Sequence, residues 1–472
     1  MCGKTRPQTM MNATPAAAPT TCLAMIADDL TGAMDAGAQV IRQGLRATVC
    51  LDGEHSGELV GQTDLVIIDT ESRNASSHDA SAAVRMAAIQ ARAAGARIIY
   101  KKIDSTLRGN VGAEIDALLS VGVVEAVVLA PALPGSGRTT TGGLHHVNGV
   151  RLGETEFAGD PFAPVAGSRI EDIVAAQSKV RTSLIGLRAV RLGASAVSAC
   201  MNDAVTGGSG VIVVDAELDS DLECIAQALE SVDAGDDEGL LLACGSAGLF
   251  AKMRVGRYAA RLGAGSGNAL PAGGRPVYGG QQAGAPAGHQ VVVVSASPAE
   301  ASRQQIEHAL NVSPDLVPVY VDATVLEGGS TARGAVARLG EQVKDVVRSG
   351  RNLVLAVKGP GRANLLQSAG SVNGLRRRSA ALLGIMAGLA RIAVEHGNVG
   401  TLVLVGGDTA RAGTNVLGAR GIHILAEVEP YIPEGVIMGG AYDGLRVVTK
   451  AGGFGSTATL ARIVSSVTQA SR

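Results

Sequence analysis

Tryptophan is absent from this 472-residue chain, and aromatic residues make up only 2% of it. That scarcity removes the stacking platforms on which single-stranded nucleic acids are bound. An excess of one charge is missing too. The formal net charge is −2, so there is no long-range attraction to nucleic acid or to an anionic membrane, and any anion must be bound locally. The six cysteines, Cys2, Cys22, Cys50, Cys200, Cys224 and Cys244, form no CxxC pair and have no histidine at metal-ligand spacing. A disulfide framework or zinc site is therefore not expected, and a reducing cytoplasm is. No uninterrupted run reaches the ~18 apolar residues of a membrane span, and no GxxxxGK[ST] phosphate loop occurs. Residues 1–21 carry Lys4 and Arg6 without a continuous apolar stretch, so they read as a disordered tail rather than a signal peptide.

Apolar residues make up 46% of the chain and charged ones 18%. A chain of this length exceeds what one core usually serves, so two domains are expected. Glycine is abundant, with 63 residues, but without a three-residue period, which points to many tight turns. Residues 263–289 are dominated by Gly, Ala, Pro, Ser and Gln and read as a linker between residues 23–262 and 290–472, with 1–22 as the tail. Strand and helix patterns alternate on both sides of it. The expected fold is α/β: two domains, each a largely parallel sheet flanked by helices, with a cleft between them.

The most informative stretch is Lys101 to Asn110, which follows the apolar run Ile98-Ile99-Tyr100. An apolar strand that stops at Lys102, Asp104, Ser105 and Arg108 brings anion-binding groups to its carboxyl end, where open α/β sheets bind ligands. Leu23 to Ala27 reads as the first strand and ends in Asp28-Asp29, with Thr31-Gly32 as the turn opening a helix from Ala33. Side chains alternate along a strand, so only one of the two aspartates is expected to face the crevice, and Asp29 is chosen. Its expected role is to orient the attacking hydroxyl and take its proton, with Asp104 as the next candidate. Leu65 to Asp69 leads to Arg73 in the same way. Asn148-Gly149 marks a hairpin that could cover the crevice. His145-His146 reads as structural, since adjacent residues on a strand face opposite sides.

The second half repeats another pattern, apolar strands that end in small-residue turns. These are Ser295-Ala296-Ser297, Lys358-Gly359-Pro360-Gly361-Arg362, Gly406-Gly407-Asp408-Thr409, and Ala451 to Gly455, including Gly453. Glycines let backbone N–H groups approach an anion, and a following helix adds its positive end, so the set reads as a phosphate cradle.

Ala27 to Ala33, Lys101 to Asn110, Gly406 to Ala410, Lys450 to Gly455, and Pro131-Ala132 with Gly137-Arg138 and Asp160-Pro161 together resemble the four-carbon acid sugar kinases. The resemblance runs from about Leu23 to the C-terminus. It implies an N-terminal acid-sugar domain and a C-terminal ATP domain. It also implies ATP-dependent phosphorylation, with Mg²⁺, of the terminal hydroxyl of threonate, erythronate or 3-oxo-tetronate, with D-threonate to 4-phospho-D-threonate the expected reaction. Asp29, Arg73, Lys102, Ile103, Asp104, Ser105 and Arg108 would then hold the acid. Ser295, Ser297, Gly359, Pro360, Gly361, Arg362, Gly406, Gly407, Asp408, Thr409 and Gly453 would hold ATP. One departure is Ala296, where the family usually has glycine and a positive φ would be costly. The partners expected are the small acid and ATP, with no nucleic acid and no membrane, and a homodimer is compatible. The alternative reading is a regulatory protein that binds sugar acid and nucleotide without turnover.

Overall fold

Apolar runs that stop at charged or glycine-rich turns become strands buried on both faces. The computed structural model describes residues 22–51, 53, 55–60, 62–122, 124–232, 241–261, 289–326, 329–358 and 371–470. In the first half the strands are β1 (Leu23–Ala27), β2 (Ala47–Cys50), β3 (Leu65–Asp69), β4 (Arg97–Lys102), β5 (Ala126–Ala130), β6 (Arg138–Thr141), β7 (Leu144–Val147), β8 (Val150–Arg151), β9 (Thr182–Ile185), β10 (Val211–Val214) and β11 (Leu241–Gly245). In the second they are β12 (Gln290–Ser295), β13 (Leu316–Val321), β14 (Asn352–Val357), β15 (Val399–Val405), β16 (Gly421–Glu429), β17 (Ile432–Met438) and β18 (Arg446–Lys450). The expected linker and tail fall almost wholly on 262–288 and 1–21, outside the described residues. Cys22, counted with the tail, is buried beside Leu23.

Two parallel sheets, one in each half, match the expected class, and they join edge to edge. The order is β13-β14-β12-β15-β18-β17-β16-β2-β3-β1-β4-β11-β5-β10-β9, one sheet of 15 strands. Strands β2 through β9 in that order are parallel, as are β13 through β18. Between them β17 runs antiparallel to β18, and β16 runs antiparallel to both β17 and β2. β1 lies between β3 and β4, and β12 lies between β14 and β15. From each of these two strands the chain builds to one side and then crosses to the other, which makes the carboxyl end of each a switch point, where crevices open.

Register sets the lips of the crevice. Ala27 of β1 pairs with Asp69 of β3 and Lys102 of β4, and Lys102 pairs with Gly245 of β11. Ser295 of β12 pairs with Val405 of β15, which pairs with Lys450 of β18. The residues just beyond these two rows form the site. Alternate residues of β1 enter opposite core clusters, Leu23 and Met25 on one face and Ala24 and Ile26 on the other, so the strand is apolar throughout. β6, β7 and β8 form a separate antiparallel sheet with its turn at Asn148 and Gly149, both at positive φ.

Two local expectations change. β4 extends through Lys101 and Lys102 instead of stopping before them. The first helix starts at Leu30 with Asp29 as its cap, so Thr31 and Gly32 belong to its first turn. Among the described residues one helix, Val372–His396, is long and apolar enough to cross a membrane by length and composition, and it packs Leu382, Met386 and Leu389 into the core. Lys101 remains in the strand because its Nζ lies 2.6 Å from Glu114 Oε2, both groups almost fully buried. Removing one member of such a pair strands a buried charge. Glu114→Ala should therefore lower unfolding stability in urea by about 3–5 kcal/mol, and Lys101→Met with Glu114→Leu should recover most of the loss.

Candidate functional site

The N-terminal wall is built on the loops that follow β1, β3 and β4. Asp29 caps the helix Leu30–Ile41: its carboxylate accepts from Gly32 N at 3.0 Å and from the Thr31 hydroxyl at 2.6 Å. Beyond β3 the chain turns through Glu71 at φ 50°, and Arg73 then forks onto Asp28 at 2.8 and 2.9 Å. Its Nη2 also reaches Asp29 at 2.5 Å, and its Nη1 lies 4.0 Å from Asp104. Gly109, at φ 100°, lets the two loops meet, since a Cβ there would come within 3.1 Å of the Arg73 carbonyl oxygen. Arg108 in turn holds Asp104 at 2.7 and 3.2 Å and Asp160 at 3.3 Å.

Both aspartates after β1 therefore meet Arg73, and both line the cleft, contrary to the alternation expected from a strand. The strand ends at Ala27, so its two-residue period does not extend to them. Ile103 is a second correction: it is 1% exposed in the core, and its carbonyl accepts from the Lys102 ammonium at 2.9 Å. Lys102 itself lines the cleft and forms no ion pair among the described residues. Gly32 makes room for it, because a Cβ there would fall 2.7 Å from the Lys102 Nζ. Ser105 also lines the cleft, and its carbonyl accepts from the buried His145 Nε2 at 2.8 Å, tying the three-stranded sheet to the loop. Burial pushes His145 down to about 4, so the ring is neutral and accepts from Thr140 at Nδ1.

Charge is distributed unevenly among the carboxylates. Burial raises the Asp29 carboxyl, but Arg73, Lys102 and the Thr31 hydroxyl outweigh it and hold the group below its ordinary value. Asp104 is likewise buried, and Arg108 and Arg73 hold it well below. Asp35 and Asp69 behave differently: burial pushes each up to about 7, against Lys102 in the first case and Arg411 in the second.

The C-terminal wall begins where β12, β15 and β18 end. Gly406, at φ 103°, precedes the helix Gly407–Val416, whose cap has no side chain and leaves its first amides open. A Cβ on Gly407 would fall 3.0 Å from both Asp29 Oδ2 and Thr31 Oγ1. The glycine turn thus rests directly on the helix cap of the other half. Gly452 packs against Ser297, and Gly453 has nothing within 4 Å of its Cβ position. The Lys450 ammonium donates to the carbonyl of Ala451 at 2.9 Å, and burial pushes the group down to about 8. Ala296 is not among the described non-glycine residues at positive φ, so the alanine costs no strain there, and its N–H donates to Thr409 Oγ1 at 3.3 Å. Ser297, Gly406, Gly407, Asp408, Thr409 and Gly453 line the cleft. Ser295 does not, because it is still paired within the ladder between β14 and β15. Gly359, Pro360, Gly361 and Arg362 lie outside the described residues.

Between the walls is a cleft of about 1150 Å³. Arg411 bridges its mouth to Asp69 at 3.2 Å and Glu71 at 3.0 Å, and Asn74 donates to Asp408 at 3.2 Å. Arg138, from the three-stranded sheet, lies 5.8 Å above the Phe454 ring of the opposite wall. Sequence reasoning passed over Asp28, Asp35, Asp69 and Arg411 as site residues. For Asp35 a signal existed, a single carboxylate in the otherwise small and apolar helix Leu30–Ile41, four residues after Thr31 and so on the same face.

A loop-borne anion site facing a glycine-rich helix N-terminus across a cleft defines a two-domain enzyme that moves a phosphoryl group between bound ligands. Residues 23–253 match a family model described as a sugar-binding N-terminal domain, and residues 292–460 match a nucleotide-binding C-terminal domain. A D-threonate kinase of Salmonella typhimurium is 36% identical over 448 residues, covering 92% of this chain and 96% of the relative. A D-erythronate kinase of Heliobacterium modesticaldum is 31% identical, covering 92% and 94%. A 3-oxo-tetronate kinase of Methylobacterium radiotolerans is 29% identical, covering 92% and 96%. A solved structure from Salmonella typhimurium shares the fold with a TM-score of 0.72 at 23% identity, covering 93% of this chain and 98% of that one. The chain belongs to the four-carbon acid sugar kinase family. It is an ATP-dependent phosphotransferase with an alcohol group as acceptor.

The Gly407 contact yields a direct test. A branched side chain there must displace the Asp29 cap or block the approach to the helix N-terminus. Gly407→Val should abolish ATP binding in calorimetry while the protein still unfolds cooperatively, and unaltered ATP affinity would remove this turn from the site.

Proposed function

We propose that the chain transfers the γ-phosphoryl group of ATP to the terminal hydroxyl of a four-carbon sugar acid, D-threonate, giving 4-phospho-D-threonate. The observation that carries this reading is the approach of Gly407 to Asp29 and Thr31, which brings the glycine turn of one wall into contact with the helix cap of the other. The choice of D-threonate is supported by the naming of the Salmonella relative at 36% identity and of a Bordetella bronchiseptica relative at 32%. Lys102, which forms no ion pair among the described residues, would receive the acid's carboxylate with Ser105 and the Nη1 end of Arg73. Asp104 and Arg108 would frame the hydroxyls. Asp29, already bound by Thr31, Gly32 and Arg73, would orient the attacking hydroxyl as an acceptor.

On the other wall the first amides after Gly406, with Ser297, Thr409 and the open backbone at Gly453, would cradle the phosphates. The glycines let these turns pack closely, since a Cβ at Gly407 would meet Asp29 and Thr31 and one at Gly452 would meet Ser297. Among the described residues no cluster of three or more metal-ligating side chains exists. That fits Mg²⁺, which keeps several waters and is carried on phosphate oxygens with one or two carboxylates, here Asp408 beside the phosphate turn. When bound, the ion neutralises charge on the phosphates.

The substrate is tested by coupled ADP release with D-threonate, L-threonate, D-erythronate and 3-oxo-tetronate. D-Threonate should give the highest kcat/KM, and a higher value for another acid would reassign the substrate. A charge-assisted contact to a bound anion contributes about 1.5–3 kcal/mol. Lys102→Met should therefore raise KM for the acid roughly tenfold or more with KM for ATP nearly unchanged, and equal damage to both would place Lys102 elsewhere.

A further inference from the structure

Asp35 has no role in the contacts described so far. It lies one turn after Thr31 on the cleft-facing side of the helix Leu30–Ile41 and is only 9% exposed, yet it lines the cleft. Its Oδ1 is buried with no hydrogen-bond partner among the described residues. A buried carboxylate oxygen left without a donor is costly, and such groups are paired in most structures. The neighbouring carboxylates are all engaged: Asp28 and Asp29 by Arg73, and Asp104 by Arg108. Each accepts strong hydrogen bonds that a proton would have to displace.

We propose that Asp35 is the general base of the phosphoryl transfer, its carboxylate taking the proton of the acceptor hydroxyl that Asp29 orients. This rests on the kinase reading above. As the hydroxyl oxygen bonds to the γ-phosphorus, its O–H electron pair remains on oxygen and the proton passes to Asp35. The bond between the γ-phosphorus and the bridging oxygen breaks, and its electrons leave with ADP. Asp35 then returns the proton to solvent.

The surroundings suit the role. Lys102 faces Asp35 from β4, Glu427 from β16 and Tyr431 from the β16–β17 turn, with Asp29 and Arg42 at the two ends of its own helix. Burial, with Glu427 and Asp29 adding to it, pushes the carboxyl up to about 7, while Lys102 and Arg42 oppose the rise. A base with that affinity is about half ionised at neutral pH and holds a proton well, whereas Asp29 and Asp104 are held below their ordinary values and are weak bases.

The test is the pH dependence of kcat at saturating ATP, Mg²⁺ and acid, in the full chain. In the wild type kcat should fall tenfold per unit below a midpoint near 7, where the base protonates. Asp35→Asn should lower kcat by about 10²–10⁴-fold and remove that acid limb. Its calorimetric affinities for ATP and for the acid should be kept, and its melting temperature should be no lower than that of the wild type. Asp35→Glu should restore part of kcat together with the limb. An acid limb that persists in Asp35→Asn overturns the proposal, as does a loss explained wholly by a higher KM for Mg²⁺. If the wild type itself forms no ADP with any four-carbon acid, the kinase reading fails first, independently of Asp35.

Discussion

Arg73 holds the N-terminal wall together. Its guanidinium ties Asp28 and Asp29, beyond β1, to its own loop beyond β3, and it approaches Asp104 beyond β4. Three adjacent strand ends carrying carboxylates would repel one another without it. Burial lowers Arg73's affinity for its proton, and the three aspartates more than reverse the effect. The consequence for chemistry is selective. The Asp29 and Asp104 carboxyls in this network are held below their ordinary values, and the Arg73 guanidinium is shared among three carboxylates. The roles proposed for Lys102 and Asp35 fall on groups outside these ion pairs.

The second constraint is the continuity of the sheet. β16 and β17 splice two parallel sheets, so the carboxyl edges of β1 and β12 open into one cleft. Close approach across the cleft depends on small residues. Gly407 rests against Asp29 and Thr31, and Gly32 leaves room for the Lys102 ammonium. A scaffold of this kind can bring the two reacting ligands together with little covalent chemistry of its own, which is what phosphoryl transfer requires.

Much of this arrangement was legible in the sequence, because an apolar run that stops at charge has few explanations. Leu23–Ala27 and Leu65–Asp69 appear as strands with the expected bounds, and the Asn148-Gly149 hairpin forms. The loops from Asp29, Arg73 and Lys102 do converge. What sequence reasoning missed has physical causes. β16 is only half buried along much of its length, so its pattern is weak. Lys101 looked like the start of a polar loop because its partner Glu114 is distant in sequence. Ile103 sits inside a charged motif but faces the core. Asp35 was overlooked because a lone carboxylate on a helix is usually solvated, and only the fold reveals that it is buried and unpaired.

The central claim is that one cleft carries a phosphoryl group from nucleotide to sugar acid, and the product tests it most directly. The purified chain would be incubated with ATP, Mg²⁺ and D-threonate and followed by ³¹P NMR. The account predicts a new phosphomonoester signal coupled to the methylene protons of the acid's terminal carbon, appearing in step with ADP. ADP accumulating with inorganic phosphate alone, or a phosphorylated product whose phosphorus couples to no terminal methylene, would contradict it.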